Sequence, residues 1–351
     1  MERRKTRSVK IGNTRIGSFY PILIQSMTYS KTSDKEATLS QILELEEAGC
    51  EIVRFSVPDE DCVKSIPYLK EHSHIPLVAD IHFNYKLALA AADAGIDKIR
   101  INPGNIGSDD RVKEVADKCR SKNIPIRIGV NAGSLEKHIL EKYGKPTPEA
   151  LCESAMYHVN LLEKFDFNDI VVSIKSSTVE DTIKANRLFS QMTNYPIHLG
   201  VTEAGTERTG LIKSSVGIGS LLCDGIGDTL RVSLSDDVVK EVKAANDLLR
   251  CLGIRGGVKV ISCPKCSRST LDVFSLAKRV EEALSGSELD IKIAVMGCAV
   301  NGPGEAREAD IGVAGGAADG ALLFRKGEIV GKIPFDKIYE VLLEEVEKFG
   351  K

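Results

Sequence analysis

Over its first 250 residues the chain alternates between two hydrophobic textures. Short runs rich in β-branched residues are followed by longer stretches with apolar positions three and four apart and charges between them. Eight such runs stand out: PILIQSM from Pro21, EIVRFSV from Glu51, PLVADIH from Pro76, KIRINP from Lys98, PIRIGVN from Pro125, DIVVSIKS from Asp169, PIHLGVTE from Pro196 and DTLRVSLS from Asp228. Stretches such as ATLSQILELEEAG, YKLALAAADAG and DDRVKEVADKCRSK lie between them and read as amphipathic helices. Strand–helix alternation predicts a parallel sheet. Eight units in about 230 residues fit a (β/α)8 TIM barrel in number and size. A doubly wound sheet is the alternative. It normally carries a Gly-rich phosphate turn after its first strand, and none follows PILIQSM.

The texture changes after Leu252. GIRGG reads as a linker. The remainder predicts a strand (VKVIS), a helix from Ser269 to about Leu284, a strand (DIKIAVMG), two short strands near Ile311 and Leu322, and a final helix from about Asp336. The expected organisation is thus a barrel over residues 1–252 and a small α+β domain over 253–351. The 351 residues are 42% apolar and 28% charged, with a formal net charge of −3, which excludes a disordered chain and gives no reason to expect nucleic-acid binding. No apolar run approaches the roughly 18 residues of a membrane helix. The basic start MERRKTRSVKIGNTRIGS lacks the apolar core of a secretory signal, so the nine cysteines are expected as reduced thiols in a cytoplasm.

Side chains at i and i+2 of a strand share a face. Several runs place polar residues at such positions near their C-terminal ends: Arg54 with Ser56, Asp80 with His82, Arg100 with Asn102, Ser173 with Lys175, and Arg231 with Ser233. Arg127 is followed on its face by Gly129 and Asn131, and Glu203 ends the seventh run. Barrel active sites lie at the C-terminal ends of the strands, so these residues are expected at one mouth. Five cations on five strands, with Asp80 and Glu203 as the carboxylates among them, call for an anionic ligand. Guanidinium forks suit phosphate oxygens, which points to a small phosphorylated or diphosphorylated substrate. Taken singly, each of these residues is equally consistent with a surface or salt-bridge role. Asp80-x-His82 also resembles half of a hydrolase metal site, without a second His pair to complete it.

Six cysteines, Cys50, Cys62, Cys119, Cys152, Cys223 and Cys251, fall in helical stretches and read as small buried hydrophobes. Cys263, Cys266 and Cys298 follow short strands of the second domain. A Cys-x-x-Cys pair alone fits a thiol redox pair, half a zinc site or part of an iron–sulfur site. One further cysteine and no histidine in this domain leave a zinc site short of ligands. Three thiolates suit three irons of a cubane, with the fourth iron open or weakly held. Glu305, after the Asn-Gly-Pro-Gly turn, is the next candidate donor; a solvated loop residue is the alternative reading.

IQSMT at Ile24–Thr28, the strands around Arg100 and Arg127, SCPKC, and MGCAVNGPGEA at Met296–Ala306 resemble the 4-hydroxy-3-methylbut-2-enyl diphosphate synthase family of the methylerythritol phosphate route to isoprenoids. The likeness runs over nearly the whole chain and fits the bacterial two-domain type; Tyr29-Ser30, where relatives often carry small polar residues, is a mild departure. The resemblance implies reductive ring opening of a cyclic diphosphate, with a [4Fe–4S] cluster on Cys263, Cys266, Cys298 and Glu305 and a flavodoxin or ferredoxin as one-electron donor. It also implies that Arg54, Asp80, His82, Arg100, Asn102, Arg127, Asn131, Lys175, Glu203, Arg231 and Ser233 surround the substrate, with Glu203 or Glu305 handling protons. A phosphate- or pterin-binding barrel with a structural small domain, and an iron–sulfur carrier without catalysis, are the competing readings.

Chain length bears on assembly. The eighth helix, about 236–252, is about 25 Å long, and the six residues 253–258 span at most about 20 Å. If that helix runs back from the mouth, the small domain is tethered at the opposite end of its own barrel. A two-fold, head-to-tail homodimer with shared active sites is therefore expected, and the family resemblance implies the same.

Overall fold

The computed structural model describes residues 2–287, 289–299, 304, 308–316 and 320–349. Its chain divides into two compact units, Met1–Leu248 and Leu249–Lys351.

The first unit opens with an antiparallel hairpin, β1 (Val9–Ile11) and β2 (Thr14–Ile16). Eight parallel strands follow: β3 (Leu23–Met27), β4 (Ile52–Ser56), β5 (Leu77–Ile81), β6 (Lys98–Ile101), β7 (Ile126–Asn131), β8 (Ile170–Lys175), β9 (His198–Leu199) and β10 (Thr229–Leu230). They pair in the order β8-β7-β6-β5-β4-β3-β10-β9. A parallel bridge from Val172 to Ile197, with the Val172 N–H donating to the Pro196 carbonyl at 2.9 Å, joins β8 to β9 and closes the barrel. The connecting helices are α1 (Lys35–Glu47), α2 (Glu60–His72), α3 (Tyr85–Asp93), α4 (Pro103–Ile106), α5 (Asp109–Lys122), α6 (Lys137–Tyr143), α7 (Pro148–Lys164), α8 (Val179–Met192), α9 (Glu207–Cys223) and α10 (Val238–Cys251). Local sequence starts several of them: the side chains of Asp34, Asp59, Asn84 and Thr147 accept from free N–H groups of the first turns of α1, α2, α3 and α7.

The strands bury both faces. Val53, Phe55, Ile99, Ile101, Ile128 and Ile174 occupy the outward register and are buried on the helix side. At the strand starts, Leu23, Ile52, Val78 and Val171 face inward and form one cluster with Val9, Ile11 and Ile16 of the hairpin. The hairpin thus plugs the bottom of the barrel and leaves the other end as the mouth.

The second unit is a five-stranded sheet, β11 (Val258–Ser262), β12 (Ile291–Met296), β13 (Ile311–Gly315), β14 (Ala321–Arg325) and β15 (Glu328–Ile333), in sequential order. The first three strands are parallel and the last two antiparallel. Helices α11 (Val273–Ala283) and α12 (Ile338–Phe349) contribute Val273, Val280, Leu342 and Val346 to its core.

Several expectations differ from the outcome. The β1–β2 hairpin and β15 add strands that the sequence reading lacked. Helix α11 starts at Val273 rather than Ser269, with Asp272 as its N-cap residue, because Ser269 is drawn into a turn by its hydroxyl donating to the Leu271 carbonyl at 2.9 Å. Cys50, Cys62, Cys119 and Cys152 are buried as expected, but Cys223 and Cys251 are exposed. Each of these two is the last residue of its helix, α9 or α10, where the buried stripe has run out. Among the described residues, no helix is long and apolar enough to cross a membrane.

Candidate active site

The inward register of the strands delivers the expected cations to one place. Arg54, Arg100, Arg127, Asn131, Ser173, Lys175, Thr202, Arg231 and Ser233 line a cavity of about 90 Å³. That is room for about three waters.

Two buried carboxylates organise the guanidiniums. Asp80 accepts from Arg54 Nη1 at 2.8 Å on one oxygen and from Arg100 Nη1 at 3.0 Å on the other. Burial alone would raise the Asp80 carboxyl, but Arg54 and Arg100, followed by Arg127, outweigh it and hold it at about 2. Burial draws the Arg54 guanidinium down to about 10 despite Asp80. Glu241, on α10, binds Arg231 through both oxygens at 3.1 Å and also accepts from the Ser26 hydroxyl and the Leu234 N–H at 3.0 Å. Arg127 is 1% exposed, and its Nε and Nη1 have no hydrogen-bond partner. Lys175 Nζ lies 3.4 Å from His198 Nε2, and His198 Nδ1 lies 2.9 Å from Thr229 Oγ1.

Two glycines make this crowding possible. A Cβ on Gly129 would stand 2.3 Å from Arg100 Nε, and one on Gly200 would stand 2.7 Å from Lys175 Nζ. Small residues on β7 and beyond β9 therefore clear the space that the long cationic side chains fill.

Other candidates are placed differently. Asn102 is buried, and its amide donates toward the carbonyl and hydroxyl of Ser134 at 3.4 Å rather than lining the cavity. His82 is exposed beyond β5, while Asp80 is buried and tied to two arginines, so the two do not form half of a metal site. Glu203 is exposed in a left-handed turn at φ 51°, because β9 ends at Leu199, earlier than its β-branched run suggested. For the same reason Arg231 stands just past β10.

Sequence reasoning missed Glu241, Lys98, His198 and Thr229. A signal for Glu241 exists: it lies on the stripe of α10 defined by Val238, Val242, Ala245 and Leu249, where a carboxylate is out of place unless paired. Lys98 would have emerged by stepping the Arg100 register back two residues.

In the second unit, Cys263, Cys266 and Cys298 line one pocket with Pro264, Lys265, Arg268, Met296 and Gly297. Lys265 adopts φ 28°, turning the Cys-Pro-Lys-Cys segment back on itself. Cys263 Sγ accepts from the Gly297 N–H at 3.1 Å. Among the described residues no three metal-capable side chains converge on a single point. A multi-iron cluster takes one thiolate per iron and so needs donors spread over its corners, which three cysteines around a shared pocket provide. Glu305 lies outside the described residues.

Comparison with known proteins agrees with this geometry. The description "GcpE TIM-barrel domain" matches residues 6–246, and "GcpE protein C-terminal domain" matches residues 259–348. A 4-hydroxy-3-methylbut-2-en-1-yl diphosphate synthase (flavodoxin) of Clostridium perfringens is 56% identical over 348 residues, covering 99% of each chain. The Fusobacterium nucleatum protein of the same name is 56% identical over 346 residues, covering 98% of this chain and 96% of that one. Among solved structures, dihydropteroate synthase from Stenotrophomonas maltophilia superposes with a TM-score of 0.53 at 13% identity, over 71% of this chain and 97% of that one, a likeness of fold alone. The chain belongs to the GcpE family, that of the 4-hydroxy-3-methylbut-2-en-1-yl diphosphate synthases (flavodoxin).

Proposed function

We propose that the chain reductively opens 2-C-methyl-D-erythritol 2,4-cyclodiphosphate to 4-hydroxy-3-methylbut-2-enyl diphosphate in the methylerythritol phosphate route to isoprenoids. Two electrons and two protons are taken up, the bond from the ring carbon to the phosphate oxygen breaks, and one hydroxyl leaves as water. The observation that carries this reading is the cavity at the strand ends, where four guanidiniums and Lys175 face one space. Arg54, Arg100 and Arg231 are pre-oriented by Asp80 and Glu241, so little reorganisation accompanies binding of a diphosphate. As the phosphate oxygen separates from carbon, the same cations offset its growing charge. Asn131 and Ser233 offer neutral hydrogen bonds that orient the carbon skeleton, with Asn102 and His82 nearby at the ends of β6 and β5. Glu203 is a carboxylate suited to moving the proton that accompanies water loss, and Glu305 is the other candidate.

A [4Fe–4S] cluster bound by Cys263, Cys266, Cys298 and Glu305 would supply single electrons and a Lewis-acidic iron. The electron donor is a flavodoxin, the carrier in the relatives' name, or a ferredoxin. A reducing cytoplasm suits the thiols. The test is anaerobic reconstitution with iron and sulfide, followed by addition of the cyclodiphosphate and a strong one-electron reductant. Product should form. Cys298→Ser should lose the iron–sulfur absorption and turnover together, and Lys175→Ala should keep the absorption while kcat/KM falls roughly 10- to 150-fold. A Cys298→Ser protein with full cluster content and activity would refute the ligand set, and cluster transfer to an acceptor without turnover would favour a carrier.

The active unit in this reading is a homodimer, each site combining the barrel of one chain with the thiol pocket of its partner. The six-residue linker, about 20 Å at full stretch, supports it. Mixing inactive Lys175→Ala and Cys266→Ser chains under subunit exchange should restore up to about half the activity per mixed dimer, since one site then carries neither defect. Exchange without recovery would mean that each chain uses its own two units.

A further inference from the structure

A second polar layer lies beneath the mouth. Lys98 precedes Arg100 by two residues on β6, so both project into the barrel. Its side chain is fully buried, and its Nζ has no hydrogen-bond partner. His198 on β9 is fully buried between Lys175 and Thr229. His198 Nε2 faces Lys175 Nζ and its Nδ1 faces the Thr229 hydroxyl, and burial, followed by Arg127 and Lys175, pushes the ring toward its neutral form.

Charges face Lys175 from every side. They are Arg127 on β7, Arg54 on β4, Arg231 past β10 and Arg100 on β6; Lys98 is faced by Arg127 and Arg54 and by the Asp97 carboxylate, while Asp80 on β5 and Glu241 on α10 are paired to the guanidiniums. The oxygens of Asp80 are taken by Arg54 and Arg100, and those of Glu241 by Arg231. Four guanidiniums against two carboxylates leave two positive charges uncompensated before either lysine is counted. Two buried ammonium groups would add a further desolvation cost, since the one carboxylate acting on Lys98, Asp97, already accepts from Lys70 and the Leu77 N–H. An ammonium sheds its proton far more readily than a guanidinium, so the relief falls on the lysines. Burial, and then Arg127 and Arg54, push both Lys98 and Lys175 well below the usual range of a lysine amine.

We propose that the diphosphate enters this barrel together with a proton, taken up from solvent by the buried lysines Lys98 and Lys175, and that His198 is the positioning residue that holds the Lys175 nitrogen at the anion. The inference rests on the reading of the cavity as a diphosphate site. One N–H bond forms on a lysine nitrogen, the proton comes from the buffer, and no electron moves. The cyclic diphosphate has only strongly acidic oxygens, so it neither gives nor takes a proton near neutrality. Ring opening then creates a terminal phosphate with a further ionisable oxygen, and the new ammonium is already in place to meet it.

The test is calorimetric titration of the cluster-loaded protein with the cyclodiphosphate, under anaerobic conditions and without reductant, in PIPES and in Tris. Binding should take up about one proton per site, and affinity should fall up to tenfold per unit between pH 7 and 9. Lys98→Met should at least halve the proton number. Lys98→Arg, which cannot shed its charge, should do the same while still binding the ligand. His198→Gln keeps an acceptor and should keep the pH profile, whereas His198→Leu should displace it and lower kcat/KM. Binding with no buffer-dependent heat and a flat pH profile would overturn the inference, as would an unchanged proton number in both Lys98 variants. Absence of any binding would instead overturn the diphosphate reading.

Discussion

The bottom and the mouth of the barrel are built from the same strand faces with opposite contents. At the bottom, Leu23, Ile52, Val78 and Val171 meet Val9, Ile11 and Ile16 of the hairpin in a closed apolar cluster. Two residues further along the same faces stand Arg54, Asp80 and Ser173; Arg100 pairs in register with Asp80 and Arg127 with Arg100, and the stagger between strands brings Arg54 beside Val78 and Arg127 beside Val171. Burying the bottom releases hydrophobic free energy, roughly 25 cal/mol per Å² of apolar surface removed from water. The mouth works against folding, because it gathers charges of one sign that find enough partners only when an anion arrives. An apolar floor beneath a cationic opening lets one set of strands hold both.

The strongest way to break this contrast is to remove the carboxylate that keeps two of the mouth's arginines paired. Asp80→Ala leaves Arg54 and Arg100 buried beside Arg127 without a counter-charge. Loss of one partner from a buried ion pair costs about 3–5 kcal/mol, to be read as a lower denaturant midpoint. Wild-type stability in this variant would mean that the mouth is solvated enough to carry its charges alone.

Acid titrates the same link with a smaller effect. The Asp80 carboxyl is held at about 2, below the value of about 3.9 in an unfolded chain. A lowered folded-state value contributes stability that is fully present above about pH 4 and is lost as pH falls toward 2. The loss should amount to about 2.5 kcal/mol. Urea midpoints measured down this range should decline in the wild-type protein, and an Asp80→Asn protein should lack that part of the slope.

The contrast also explains which features were legible in the sequence. Period-two spacing put Arg54, Arg100, Arg127 and Lys175 on one inward face, because strand geometry fixes the face once the strand is recognised. It failed for Glu203, since β9 stops at Leu199 and the chain turns through a left-handed residue before the carboxylate. Glu241 interrupts the apolar stripe of α10, which signals a paired carboxylate, but its partner, Arg231, comes from a strand end and pairing across elements leaves no periodicity that names it. The hairpin beneath the barrel escaped notice because its three-residue strands are shorter than any window that detects alternation. The three cysteines were legible by chemical type, and the fold adds that they share a pocket.

The smallest expected effect comes from the bottom, where a change should alter stability and nothing else. Ile11 is fully buried in the hairpin cluster, against strand starts that carry no polar member of the mouth. Ile11→Val deletes one methylene from a packed site. Such deletions cost about 0.5–1.5 kcal/mol, from lost burial and from the small void left behind. Denaturant unfolding should show that loss with an unchanged m value, because the surface exposed on unfolding hardly differs. Substrate KM and kcat of the reconstituted protein should stay at wild-type values, since the guanidiniums are positioned by Asp80 and Glu241 and not by the floor. A fall in kcat/KM comparable to that of a mouth variant would show that the hairpin sets the register of the strands above it, and the division between floor and mouth would have to be abandoned.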